Sequence, residues 1–186
     1  MEKSEVPLGL AYKLLNPGSV TMISVGSSER DNIFSVTWNM PARKDPPKAA
    51  ILSGKRHFSY PFIAESGEFG INIPDASLAD AVLGCGTVSG SEVKDKFARF
   101  GLSRKEARRI GAPLVDEAVA NLECRVCQVV DLGASSLLIA DIVFAHASKR
   151  YFTDGMWNFD SGLKLLHHLS GSSFCTSEAK LVAKNL

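Results

Sequence analysis

Long apolar runs are missing from this 186-residue chain; the longest fall far short of the roughly 20 residues that a membrane-crossing helix requires. A dominant charge is missing as well. Lys and Arg number 21 and Asp and Glu 20, a net +1, so no global field calls for nucleic acid or an anionic membrane. The N-terminal MEKSEVPLGL has acids beside its lysine and no apolar h-region, which excludes a secretory signal and leads us to expect a cytoplasmic protein. Cysteines are few, at 85, 124, 127 and 175. Four would suit two disulfides, but nothing suggests export and the core needs no staples, so free thiols are expected. There is no GK[ST], no GxSxG, no evident nucleophile–base pair, no internal repeat and no low-complexity tract. What remains is ordinary globular composition, 45% hydrophobic and 22% charged, enough for a real core in one domain.

Hydrophobic patterning then places the elements. VTMISVG (20–26) and Ile33–Asn39 read as two strands of a hairpin around the polar turn SSERDN (27–32), and KAAILSG (48–54) reads as a buried central strand. Ser59 is an expected N-cap, with Pro61 in the first turn and Gly67 closing a short helix. FGINIP (69–74) is a strand, Ser77 caps a helix over 78–83, and 89–100 is a short helix capped by Ser91. GLSRKEARRIG (101–111) reads as a basic helix. Residues 120–130 alternate, with Leu122, Cys124 and Val126 on one face and Glu123, Arg125 and Cys127 on the other; 136–148 is the partner strand. Residues 149–186 are a tail holding a loop and a short helix or extended segment. Strands dominate without a βαβ rhythm, which predicts a mainly β protein, an antiparallel barrel with inserted helices.

Each candidate site has a plain structural reading beside the chemical one. Cys124 and Cys127 have redox spacing, but on a strand they point to opposite faces and pack rather than react. His167–His168 are adjacent, so they do not converge on a metal, and none is expected; His146 is read as structural. Gly84–Gly90 is a flexible loop offering N–H groups and Ser89 to an anion, not a dinucleotide fingerprint. The basic 104–109 segment suits a solvated face balanced by Glu106, Asp116 and Glu117. The richest cluster, Lys55-Arg56-His57 with Ser59 and Tyr60, gathers cationic donors and a hydroxyl after the third strand. It suits a phosphate site or a surface turn equally.

Several segments align together with a known family. NIFSVTWNMPARKDPPKAAILSGKRHFSY, FGINIP, VSGSEVKDKF, LECRV and DLGASSLLIADIV resemble, in that order, the flavin reductase-like, FMN-binding split-barrel family, especially its flavoredoxin-like branch. The resemblance covers roughly residues 8–148 and implies one split-barrel domain over 1–186. It implies that Ser35, Val36, Thr37, Trp38 and Asn39 border a flavin ring, and that Lys55, Arg56, His57 and Ser59 hold the FMN phosphate with Ser89 and Lys96. Trp38 then supplies an apolar wall, stiffened by Pro41, Pro46 and Pro47; read alone, it equally fills a barrel end. The resemblance further implies an oxidoreductase, a flavin reductase drawing hydride from NADH or NADPH, in a homodimer with a possible redox partner protein. The alternatives are a non-catalytic electron carrier of flavoredoxin type and an oligonucleotide-binding barrel. The tail does not align with the family.

Overall fold

The computed structural model describes residues 7–15, 18–27, 29–177 and 179–183. In chain order, β1 (Gly18–Ser19), β2 (Thr21–Gly26), β3 (Asp31–Val36), β4 (Asn39–Arg43) and β5 (Lys48–Gly54) precede α1 (Tyr60–Ser66) and β6 (Glu68–Ile73). Next come α2 (Ala79–Thr87), α3 (Lys96–Arg99), β7 (Arg104–Lys105), β8 (Leu114–Val115) and the two long strands β9 (Ala120–Asp131) and β10 (Ser135–Ala147). The tail adds β11 (Phe152–Thr153), β12 (Met156–Trp157), β13 (Leu165–Ser170) and β14 (Ser173–Ser177).

Seven strands form one antiparallel sheet in the order β3-β2-β6-β9-β10-β5-β4. β3 and β4 stand at opposite ends of that order, yet only Thr37 and Trp38 separate them in the chain. A link that short spans about 10 Å at most, so the two sheet edges must approach each other. The sheet therefore rolls into a barrel that stays split between β3 and β4, and Leu52 N donates to Trp38 O at 2.9 Å, extending the β4–β5 pairing one residue toward the opening. The antiparallel split barrel expected from the sequence is the fold observed.

Both faces of β2 are buried, which is why VTMISVG is mostly apolar rather than alternating, with only the small hydroxyls of Thr21 and Ser24 between. Ile23 and Val25 point inward with Phe34, Ile51, Phe69, Ile71, Cys124 and Leu138. Val20 and Met22 point outward into a second core with Ile33, Val82, Cys85, Phe97, Val115 and Leu166. A buried polar node ties the layers. Asn72 Nδ2 donates to Met22 O and Ser24 Oγ, both at 3.0 Å, while its Oδ1 accepts from Val115 N at 2.9 Å and Asn121 Nδ2 at 2.8 Å.

Several local expectations change. The returning strand stops at Val36, and the chain bends before resuming as β4 straight through Met40-Pro41; an edge strand tolerates proline because no partner needs its N–H. β5 is internal but lies next to that edge rather than at the sheet's centre. Asp75, not Ser77, provides the cap, accepting from Ser77 N at 2.9 Å ahead of a 3-10 turn, and α2 then continues into the glycine segment. α3 is only four residues long and is capped by Asp95 rather than Ser91.

The basic helix expected over 101–111 does not form. Fully buried Glu123 accepts from Arg108 N at 2.9 Å and Arg109 N at 2.6 Å, taking donors that a helix would direct to its own carbonyls. Its cations are engaged as well: Arg104 pairs with Asp31 and Asp95, and Lys105 with Asp116. Arg108 lies over the Phe144 ring, 4.9 Å from its centroid, so the segment's cations are spread among separate partners rather than aligned on one helix face. Of the two forms expected for the end of the tail, helix or extended segment, the extended one is observed, after turns and a 3-10 turn at Phe159–Ser161. β13 pairs with both β14 and β1, making a three-stranded sheet, and Leu166 enters the outer core. No helix among the described residues is long and apolar enough to cross a membrane.

Candidate functional site

The turn from β5 into α1 is tight, with His57 N donating to Gly54 O and Tyr60 N to His57 O, each at 3.0 Å. A Cβ on Gly54 would lie 2.9 Å from His57 Nε2, so the imidazole folds over the glycine. Beyond the turn lies a cavity of about 270 Å³ whose polar walls are Asn32, Ser35, Arg56, His57, Ser59, Thr87, Ser89 and Lys96.

Lys96 dominates this cavity. It is 3% exposed, its Nζ donates to Cys85 O at 2.7 Å, and among the described residues no carboxylate oxygen lies within 4 Å of it. Burial lowers its pKa from the usual lysine value, against smaller opposing pulls from Cys85 and Glu92. A buried ammonium without an ion-pair partner is costly unless an anion arrives. Ser59 is also 3% exposed, and its hydroxyl accepts from Asn32 Nδ2 at 2.7 Å, leaving its own proton to donate. Ser59 is therefore not a side-chain cap: its backbone is helical and its hydroxyl makes no cap bond. A buried cation, a free hydroxyl proton, the Ser89 hydroxyl and the exposed Arg56 guanidinium make a donor set that fits a phosphate.

Two further cavities adjoin it through Ser35. One, of about 150 Å³ at the barrel opening, is lined by Phe34, Ser35, Val36, Thr37, Trp38, Leu52 and His57, so the basic turn and the indole face one space. Trp38 does not fill the barrel end. It is 54% exposed and meets Tyr12 edge-on, with ring centroids 6.2 Å apart. The other, of about 320 Å³, runs between β3, α2 and the tail hairpin, with Val82, Leu83, His168 and Phe174 in its walls. Gly86 borders both this cavity and the Lys96 cavity, and a Cβ there would press on Ser35 Cβ at 3.3 Å. Together the three form a groove with a cationic end and an apolar end, which suits a flat ring carrying a phosphorylated side chain. The residues present thus fit a flavin mononucleotide.

Most of the residues singled out in the sequence meet along this groove, with three differences. Lys55 Nζ is paired with Asp131 at 2.6 Å and faces a neighbouring cleft instead of the Lys96 cavity. Asn39 spends its amide on Ser19 O at 2.9 Å and Val36 O at 3.2 Å, so it braces the bend. Val36 sends its side chain into the barrel core, leaving its main chain toward the opening. Residues 84–87, expected to be loop, are the last turn of α2. Sequence reasoning missed Asn32, Thr87, His168 and Phe174. Asn32 carried a signal, an amide opening an otherwise apolar strand; the tail residues carried none, because their place depends on β13 returning to β1.

No cluster of three or more metal-ligating side chains occurs among the described residues, and His167 Nε2 pairs with Ser177 Oγ at 2.6 Å. The His146 imidazole has no hydrogen-bond partner among the described residues and is held below its usual pKa by burial and then by Lys105, in keeping with a structural role. All four cysteines are free; Cys124 is buried and Cys127 exposed, on opposite faces as expected. Burial pushes the Cys85 thiol up to about 11 and the Cys124 thiol up to about 12. Both therefore keep their protons in the folded chain after the unfolded chain has lost them, so their contribution to stability drains away as pH rises from about 9 toward 12. Urea midpoints measured across that range should show the gap between the parent and Cys124→Ala narrowing; a gap independent of pH would contradict the assignment.

Comparison with known proteins adds four findings. The family described as "Flavin reductase like domain" matches residues 14–167. The uncharacterized protein YddH of Escherichia coli K12 is 34% identical over 185 residues, 96% of this chain and 97% of that protein. Among solved structures, the FMN-binding domain of a flavin reductases-like enzyme from Shewanella baltica superposes with a TM-score of 0.82 at 26% identity, covering 97% of each chain. A flavoredoxin from Methanosarcina acetivorans superposes with a TM-score of 0.84 at 23% identity, covering 98% of this chain and 95% of its own.

Proposed function

The chain belongs to the flavin reductase like domain family, and from that premise we propose that it is an FMN-binding oxidoreductase that accepts hydride from NADH or NADPH. The observation that carries the reading is the buried Lys96 ammonium, which has no carboxylate oxygen within 4 Å among the described residues and shares a cavity with Arg56, Ser59 and Ser89. In the proposed complex Lys96, Arg56 and the two serine hydroxyls hold the phosphate. His57 sits between the phosphate end and the barrel opening, since it lines both cavities. Ser35, Thr37 and Trp38 border the ring, and Gly86 leaves room for it. Bound flavin supplies the hydride-accepting chemistry, at N5. The protein's part is to orient the ring and keep water from one of its faces, which is why no acid–base pair of side chains is required.

We place the active unit in a homodimer. The exposed Trp38, Tyr12, Met40, Leu14 and Leu15 offer apolar surface around the barrel opening and the preceding segment, suited to burial by a second copy. A redox partner protein fits the same proposal as electron acceptor.

The test is spectroscopic. The purified protein should be yellow, and anaerobic mixing with NADH or NADPH should bleach it rapidly. Yellow protein that neither donor bleaches would turn the reading to an electron carrier, and colourless protein that takes up no added FMN would end it. The double variant Arg56→Ala, Ser59→Ala should bind FMN at least about tenfold more weakly, as expected for lost charge-assisted phosphate contacts. Unchanged affinity by fluorescence titration would remove the phosphate assignment.

A further inference from the structure

On the other side of the basic turn lies a larger cleft, of about 690 Å³, that the proposed FMN site does not use. The two spaces share Arg56, His57 and Phe58, so the turn is a wall between them. The cleft's floor is aromatic: Phe58 and Phe62 lie with ring centroids 5.5 Å apart, tilted by 49°. The Arg30 guanidinium covers both rings, 5.0 Å from the Phe62 centroid and 5.7 Å from that of Phe58. Arg30 is exposed, and no carboxylate oxygen among the described residues lies within 4 Å of it or of Arg56. Lys55 also lines the cleft, tied to Asp131, and Glu65 is the acidic group in its wall.

Arg30 is held there by the backbone. Gly26 has φ +100°, and a Cβ on it would sit 2.2 Å from Arg30 O, so the β2–β3 loop closes with Ser27 N donating to Arg30 O at 2.9 Å. That closure directs Arg30 across the loop and over the rings of the next turn.

We propose that this cleft binds the adenosine phosphate end of a dinucleotide. Its chemistry is that of nucleotide recognition: the Arg30 guanidinium, seated over the Phe58 and Phe62 rings, offers a planar cationic face on which a purine stacks, beside the Arg56 guanidinium, which takes phosphate. Its volume lies within the range of about 300–1,000 Å³ usual for such ligands. The inference rests on the FMN reading in one respect, that the first phosphate occupies the Lys96 cavity. A second phosphate then meets Arg56 at the shared wall, and the adenosine lies over Arg30 and Phe62. Two molecules carry this group: a flavin adenine dinucleotide, as an extension of the bound flavin, and the nicotinamide dinucleotide donor.

Calorimetric titration of the FMN-loaded protein with ADP tests the cleft directly. One ADP should bind per chain, and Arg30→Ala should weaken it at least tenfold while changing FMN affinity less than twofold. Phe62→Leu, which keeps apolar bulk but removes a ring that seats Arg30, should weaken ADP as well. Inorganic phosphate should bind at least tenfold more weakly than ADP; equal binding would overturn the adenosine assignment. A comparison of flavins separates the sources. FAD binding at least tenfold tighter than FMN, with the advantage lost in Arg30→Ala, assigns the cleft to the flavin's adenylate. Equal flavin affinities with ADP competing against NADPH assign it to the donor. No ADP binding together with equal flavin affinities would overturn the proposal. Should the chain bind no FMN, ADP titration of the ligand-free protein still reads the cleft, and Arg30-dependent binding would uphold it while the FMN reading fell.

Discussion

Replacing Lys96 with methionine is expected to lower FMN affinity on the order of 100-fold, because the lost interaction is a charge-assisted contact in a site screened from water. Methionine keeps most of the buried stem and removes only the charged end. The ligand-free variant should therefore unfold at the same urea concentration as the parent or a higher one, since the parent bears the cost of an unpaired buried ammonium. That pairing of outcomes, weaker binding without lost stability, separates a ligand-facing lysine from a structural one. The pH dependence gives an independent check. Lys96 has a lowered pKa in the folded state, so the folded chain sheds this proton before the unfolded chain does. Its penalty is thus relieved as pH climbs from that lowered value toward the unfolded value of 10.5. Over that interval the stability advantage of Lys96→Met in the ligand-free protein should shrink. A variant that retains flavin through gel filtration as the parent does would remove the phosphate site at its centre.

Asn72→Leu is expected to destabilise the fold by roughly 3–5 kcal/mol, despite placing an apolar side chain in an apolar setting. The amide makes four hydrogen bonds at a fully buried position, and its loss leaves Val115 N and Met22 O without these partners while depriving Asn121 and Ser24 of theirs. Leucine satisfies none of those groups. The damage should extend to the site, because Met22 lies opposite Ser35 on the neighbouring strand, and Ser35 Oγ bonds to Val82 O at 2.6 Å to hold α2 against the groove. Urea unfolding monitored by tryptophan fluorescence measures the cost. A loss under about 1 kcal/mol would mean that the node is decorative.

These two residues differ in how they read beforehand. Lys96 was picked out through its family resemblance, and nothing in KDKFARF signals burial; a lysine in a charged run ordinarily points to solvent. Asn72 in FGINIP looks like one polar residue in a strand, and its four partners lie at positions 22, 24, 115 and 121. The basic 101–111 segment misled for the same reason. Local propensity favours a helix there, but the Glu123 carboxylate, reached only through the sheet, outcompetes it. Ser59 was expected to act as a cap, and Asn32 instead claims its hydroxyl from 27 residues away.

Strand identity, the hairpin, the long β9–β10 pair and the opposed faces of Cys124 and Cys127 follow from local order, because alternation and turn chemistry act over a few neighbouring residues. The groove does not. Its cationic end joins residues 32, 56, 59, 89 and 96, and its apolar end adds 168 and 174, which adjoin solely because the rolled sheet brings β3 beside α2 and the tail returns to β1. Side-chain burial, and with it the charge cost borne by Lys96, is a property of that packing and of no stretch of chain taken singly.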